Sequence, residues 1–231
     1  PLGPLEGFPI DKFKNMPPPE NESTETEEEI DYLDSIPVEK GFVESADDID
    51  QHFKKFLESK RLEFPEKELK DVVKGVKSII LQLKYHYNRP RPSQIANAKN
   101  LKLDSEHLKS ARTPSYPSGH ATQGTFVGRY LADLYPEYEK ELRQVGEDIA
   151  FSRNMAKVHY PSDSEFGKML GNDLYEFVYQ KEEELNEQTE SSLEYGGDKL
   201  LVPIKSLEQY GNTYLKKDLK KILTNILECL E

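Results

Sequence analysis

Tryptophan is absent from this chain, cysteine occurs once, and methionine occurs three times in 231 residues. The lone Cys229 excludes an internal disulfide and a cysteine-based metal cluster, and it fits a reducing compartment. Long apolar runs are also lacking. Away from a proline none exceeds Ile79–Leu81, far short of the roughly 20 apolar residues that a membrane helix needs. The chain is therefore expected to be soluble, with no membrane partner. Positive charge is in deficit, since 31 Lys and Arg face 43 Asp and Glu for a net charge of -12. Such a surface repels nucleic acid and anionic lipid, so any phosphate site has to be a local basic pocket in an acidic body. No secretory signal is visible. A cytoplasmic location is favoured on the visible residues, and a periplasmic or secreted one if a leader has been removed.

What is present is mostly helical pattern. Residues 1–40 contain Pro17–Pro18–Pro19 and an acidic run through Glu29 with few large apolar groups. They read as a poorly ordered or extended arm. Asp47–Asp48 before Ile49, Phe53, Phe56 and Leu57 predicts a capped amphipathic helix. Pro65 opens a second helix carrying Leu69, Val72, Val76, Ile79, Ile80 and Leu83. It should stop near Asn88, because a proline at 90 disfavours helix at the residue before it. A third helix is expected from Ser118 to about Tyr135, a fourth from Pro136 to about Val158, and a fifth from Pro161 towards Leu185. The 41–231 region is taken as one domain. After Gly196–Gly197, an apolar stripe (Leu215, Leu219, Ile222, Leu223, Ile226, Leu227, Leu230) predicts a C-terminal amphipathic helix. It is read as packing on the core, with homodimerisation as the alternative. The fold class is all-α, a helical bundle.

Three segments carry the chemistry. The tetrapeptide Pro117–His120 (PSGH) would arise by chance in roughly one chain in a thousand of this length. Ser118 is a preferred N-cap ahead of the periodic Ala121, Phe126, Val127 and Leu131. The amides of Gly119 and His120 then lie at a positive helix end suited to an anion. Gly119 permits close approach, and His120 has the acid–base character a general acid requires. The competing reading is a capped helix with a surface histidine.

The segment Ser152–Asp163 (SRNMAKVHYPSD) holds His159 and Asp163, with Pro161 between them. The proline forces a new helix start, so Asp163 sits in a first turn and reaches back to one imidazole nitrogen. The other nitrogen is left free to attack phosphorus. Arg153 offers a planar fork to phosphate oxygens. A surface His–Asp pair with a solvated arginine is the alternative.

The segment Lys84–Pro92 (KYHYNRPRP) supplies Lys84 and Arg91 on one bend, two cations able to clamp a phosphate or simply to complement a helix C-terminus. Arg89, His86 and Arg112 are read as neighbours of the site, without direct roles.

Taken together, Lys84-x6-Arg91-Pro92, Pro117-Ser118-Gly119-His120 and Ser152-Arg153-x5-His159-x3-Asp163 resemble the full three-part signature of the type 2 phosphatidic acid phosphatase superfamily. The resemblance covers roughly residues 70 to 180, and every signature position is filled. It implies an all-helical, metal-independent phosphomonoesterase with the site at helix ends. His159 would form a phosphohistidine, His120 would protonate the leaving alcohol and Asp163 would orient His159. Lys84, Arg91, Arg153, Ser118 and the Gly119 amide would neutralise the phosphoryl oxygens. No metal or cofactor is implied, and vanadate is expected to bind as a phosphate mimic.

Within that superfamily, the lack of membrane helices points away from the lipid phosphatases and towards small water-soluble phosphomonoesters. Tyr116 before the second motif also resembles the soluble class A non-specific acid phosphatases. Those enzymes usually carry a signal peptide, a departure here. A vanadium haloperoxidase or a non-enzymatic helical phosphate-binding protein are the alternatives.

Overall fold

The computed structural model describes residues 2–193, with side chains through residue 186. The C-terminal stripe from Leu215 to Leu230 lies outside them. Among the described residues there are eight α-helices, four short 3-10 turns and no strand, so the all-α expectation holds. The helices are α1 (Thr24–Ser35), α2 (Lys40–Asp47), α3 (Ile49–Ser59), α4 (Glu66–Tyr87), α5 (Pro92–Ala98), α6 (Gly119–Leu134), α7 (Glu139–Met155) and α8 (Pro161–Leu193).

Helix α6 lies against both α7 and α8. The approach is close: a Cβ added to Gly146 of α7 would fall 2.5 Å from the Gly124 carbonyl of α6, and one added to Gly167 of α8 would fall 2.7 Å from the Ser118 carbonyl. Around these crossings Phe53, Leu57, Val76, Ile79, Leu83, Phe126, Leu131, Leu142, Ile149, Leu170 and Leu174 form one buried core. Their 3.6-residue spacing on each helix is what places them on inward faces. No described helix is long and apolar enough to cross a membrane.

The helix ends are set locally. Asp48 caps α3 by accepting from the Gln51 N–H. Asn88 ends α4 in the left-handed region at φ 49, its N–H reaching the Lys84 carbonyl. Lys157, at φ 60, closes α7, with the Val158 N–H bonding the Arg153 carbonyl at 3.2 Å. That reach back across five residues is the Schellman pattern. It ends α7 at Met155, earlier than the expected Val158, and turns the chain so that His159 leads into α8. Pro136–Tyr138 is a 3-10 turn before α7 rather than its first turn.

The expected poorly ordered or extended arm is corrected by the structure. Leu5, Phe8 and Phe13 join the main core, with the Phe8 and Phe13 rings stacked at 5.4 Å. Ser23 caps α1, whose Ile30 and Leu33 are buried. The acidic composition hides a few well-spaced large apolar groups, and several of the charges are partnered: Glu27 with Lys99 and Glu29 with Arg89. Helices α2 and α5 were also outside the expected set. Both are short, and neither begins with a side-chain N-cap of the usual kind.

Candidate active site

The three motifs converge where α4, α6 and α7 end or begin and α8 starts. Lys84 lies in the last turn of α4, its Nζ donating to the Pro114 carbonyl at 2.5 Å. Its Cε is 4.0 Å from the Cβ position of Gly119, the first residue of α6. Arg91 heads α5 and spreads its guanidinium over the site. Nε donates to the Thr113 carbonyl at 2.9 Å, and Nη1 donates to the Val158 carbonyl at 2.8 Å while lying 3.0 Å from His159 Nε2.

Ser118 caps α6, its hydroxyl accepting from the Ala121 N–H at 3.2 Å. The first intrahelical bond of α6 runs from the Thr122 N–H to the Ser118 carbonyl. The N–H groups of Gly119 and His120 therefore precede the helical ladder, as anion-binding amides do. The Ser118 N–H donates to the Asp163 carbonyl at 3.0 Å, tying the start of α6 to the first turn of α8.

His159 stands in the turn between α7 and α8 with Nδ1 3.0 Å from Asp163 Oδ2. The expected reach across Pro161 is thus present. Asp163 is fully buried and crowded with donors. Oδ2 also accepts from the Tyr160 N–H at 3.0 Å and from the Ser115 hydroxyl, and Oδ1 accepts from Arg89 Nη1 at 2.7 Å. Carboxylate oxygens so occupied leave His159 Nδ1 as a donor and Nε2 as the nitrogen with the lone pair.

On the opposite side, Arg153 is only 1% exposed. Its Nε donates to the Ser152 hydroxyl, Nη1 to Asp47 Oδ1 at 2.7 Å and Nη2 to the Val43 carbonyl at 2.8 Å. His120 Nε2 lies 2.9 Å from the Asp47 carbonyl and 3.5 Å from its Oδ1. All eight motif side chains or amides thus line one region. Asp47, from the end of α2, joins its second histidine to its third cation.

The electrostatics follow from cations crowded into a buried space. Burial, reinforced by Arg91, Lys84, His120 and Arg153, holds His159 well below the usual imidazole range. Burial and Arg153 push His120 down to about 4, against the raising effect of Asp47. Burial and Arg91 lower Lys84 to about 7, and burial lowers Arg91 to about 10. Asp163 is raised by its burial, opposed chiefly by Arg89 and Ser115. Both shifts favour the neutral imidazole at pH 7. The low His120 value runs against a protonated general acid at neutral pH.

Residues 72–184 match the family model described as the PAP2 superfamily. Over these residues, just under half of the chain, the sequence is similar to that superfamily. Over 88 residues the chain is 32% identical to a non-specific acid phosphatase of Salmonella typhimurium, covering 38% of this chain and 35% of that protein. It is 31% identical over 88 residues to a non-specific acid phosphatase of Salmonella typhi, covering 38% and 35%. An acid phosphatase of Zymomonas mobilis is 30% identical over 87 residues, covering 38% and 33%. The matched part thus spans about a third of the length of these relatives.

Sequence reasoning left three contributors to this site without roles. Arg89 was read as a neighbour, yet it is 2% exposed and bound to Asp163. Its place in the Arg-Pro-Arg run of the first motif was the available signal. Ser115 stands three residues before Ser118, close enough to suggest a shared loop. Asp47 was read as part of a helix cap, and nothing local marks its partnership with Arg153. A cavity of ≈ 610 Å³ borders Arg91 and Val158. His120 is not part of its lining.

Proposed function

We propose that the chain is a metal-independent phosphomonoesterase that works through a phosphohistidine on small water-soluble esters. One observation carries this reading: a buried His159 whose Nδ1 faces Asp163 and whose Nε2 is 3.0 Å from the Arg91 guanidinium. A nitrogen lone pair beside a phosphate-binding cation is the arrangement that in-line attack requires. The names of the aligned relatives, all acid phosphatases, support the same chemistry.

In the first half-reaction His159 Nε2 attacks phosphorus and the P–O bond to the alcohol breaks. The proton that neutralises the departing alkoxide comes from His120. Lys84, Arg91, Arg153, Ser118 and the Gly119 amide surround the equatorial oxygens, whose charge builds in the transition state. Arg91 Nη2 is buried without a partner among the described residues, and a phosphoryl oxygen is the acceptor it would take. In the second half-reaction neutral His120 removes a proton from water, the resulting hydroxide attacks phosphorus, and the P–N bond breaks to return His159.

His120 needs a proton for the first step, and its low pKa makes that proton scarce at pH 7. A bound phosphate ester supplies negative charge and raises it, so activity belongs on the acid side of neutrality. The expected result is hydrolysis of p-nitrophenyl phosphate that survives chelator, is inhibited by vanadate and disappears in His159→Ala. Unaltered turnover in His159→Ala would remove the nucleophile assignment.

A further inference from the structure

The acidic N-terminal segment enters the site's supporting structure at one residue. Glu29, on α1, sends its carboxylate to two places at once. Oε1 accepts from the Ser162 backbone N–H at 2.5 Å, and Oε2 accepts from the Ser162 hydroxyl at 2.8 Å and faces Arg89 Nη2 at 3.3 Å. Arg89 in turn donates through Nη1 to both the Ser162 hydroxyl and Asp163 Oδ1, each at 2.7 Å. Its guanidinium lies 3.7 Å over the Tyr160 ring. The chain of contacts therefore runs Glu29, Arg89, Asp163, His159, with every member but Glu29 buried and Glu29's side chain only 16% exposed.

Helix α1 is fixed in this position from both sides. Lys157 Nζ donates to the carbonyls of Leu33, Asp34 and Ile36 at the end of α1, where a cation complements the helix dipole. Lys99 pairs with Glu27 at 2.6 Å. Lys157 belongs to the same turn that presents His159, so α1 and the nucleophile share one rigid support.

Arg89 is a buried cation placed between two carboxylates. Without Glu29 it would keep its contact with Asp163 but lose the partner that fixes its second nitrogen and its planar orientation. Ser115 and the Tyr160 N–H would still hold Oδ2 of Asp163, but the donor on its Oδ1 side would be less firmly placed, and the alignment of the acceptor that selects the His159 tautomer would loosen. We propose that Glu29 is a positioning residue for the nucleophile, holding Arg89 against Asp163 so that His159 stays protonated at Nδ1. This inference rests on the phosphatase reading for its kinetic consequence, but its structural claim stands apart from turnover.

The test compares Glu29→Ala and Glu29→Gln with Glu28→Gln, an exposed charge on the same helix. Hydrolysis of p-nitrophenyl phosphate is measured alongside long-range ¹H–¹⁵N spectra of His159, which read the tautomer whether or not the ester is hydrolysed. For Glu29→Ala, kcat should fall roughly 10- to 100-fold, as for other outer-shell partners of a reactive group, with KM changed less than about twofold. The native protein should show the Nδ1–H form of His159 alone, and in Glu29→Ala that form should become mixed with the Nε2–H form. Glu29→Gln keeps the bond to Ser162 and should fall between, and Glu28→Gln should match the native protein. If Glu29→Ala does not fold, Glu29→Gln decides by the same two readouts. A folded Glu29 variant with native kcat and a pure Nδ1–H tautomer overturns the proposal. A native protein inactive on the ester, with the tautomer still shifted in Glu29→Ala, removes the phosphatase reading and leaves the positioning role standing.

Discussion

The carboxylate of Asp47 accepts a 2.7 Å hydrogen bond from Nη1 of Arg153, joining the end of α2 to a cation 106 residues later in the chain. The same residue faces His120 with both its carbonyl and its carboxylate. Its negative charge raises the His120 pKa against burial, Arg153 and Lys84. Asp47→Asn removes that charge, so His120 releases its proton at lower pH. The upper limb of the kcat/KM profile for p-nitrophenyl phosphate should move towards acid relative to the native protein. A profile superimposable on the native one would show that Asp47 does not act on His120.

Asp163→Asn tests the orientation of the nucleophile. An amide can turn its NH₂ towards His159 Nδ1, which would make that nitrogen an acceptor and leave Nε2 carrying the proton, unable to attack. The kcat should fall by at least about 100-fold, the scale of a lost base-orienting group. Arg89, left with Glu29 as its carboxylate partner, should also lower stability, by less than the roughly 3–5 kcal/mol that a fully unpaired buried charge costs. Urea unfolding and steady-state kinetics read the two effects separately.

Stability should fall in acid even though activity is favoured there. His120 titrates at about 4 in the fold and near 6.5 when unfolded; His159 is depressed as well. Below about pH 6.5 the unfolded chain takes up protons that the folded one does not. The histidine contribution is therefore complete above that pH and is lost as pH falls towards about 4. Thermal unfolding should show a midpoint lower at pH 5 than at pH 7.5, with the gap narrowed by inorganic phosphate, which the proposed site would take up in the folded state alone. A midpoint independent of both pH and phosphate would contradict the depressed histidines.

The features legible in the sequence were those written over short spans. Ser118 capping α6, Asn88 closing α4 and Pro161 opening α8 each rest on a local conformational preference that tertiary packing did not override. The His159–Asp163 contact was legible because four residues and a proline determine its geometry. Arg153 with Asp47, and Glu29 with Ser162, are 106 and 133 residues apart. No periodicity or spacing encodes such pairs; they exist only once α1 and α2 have packed against the α7–α8 turn. The N-terminal segment was misread for a related reason, since its average composition is that of a solvated tail while Leu5, Phe8, Phe13, Ile30 and Leu33 do the packing.

The most direct measurement is a search for the covalent intermediate. Phosphohistidine survives base and is destroyed by acid, so turnover of p-nitrophenyl phosphate is stopped with alkali and the protein is mapped by mass spectrometry. One phosphoryl group should be found on His159, more abundant in His120→Ala supplied with an ester whose alcohol leaves without a proton, and absent from His159→Ala. Full turnover with no phosphoryl group on His159, or with one on another residue, would contradict His159 as the nucleophile.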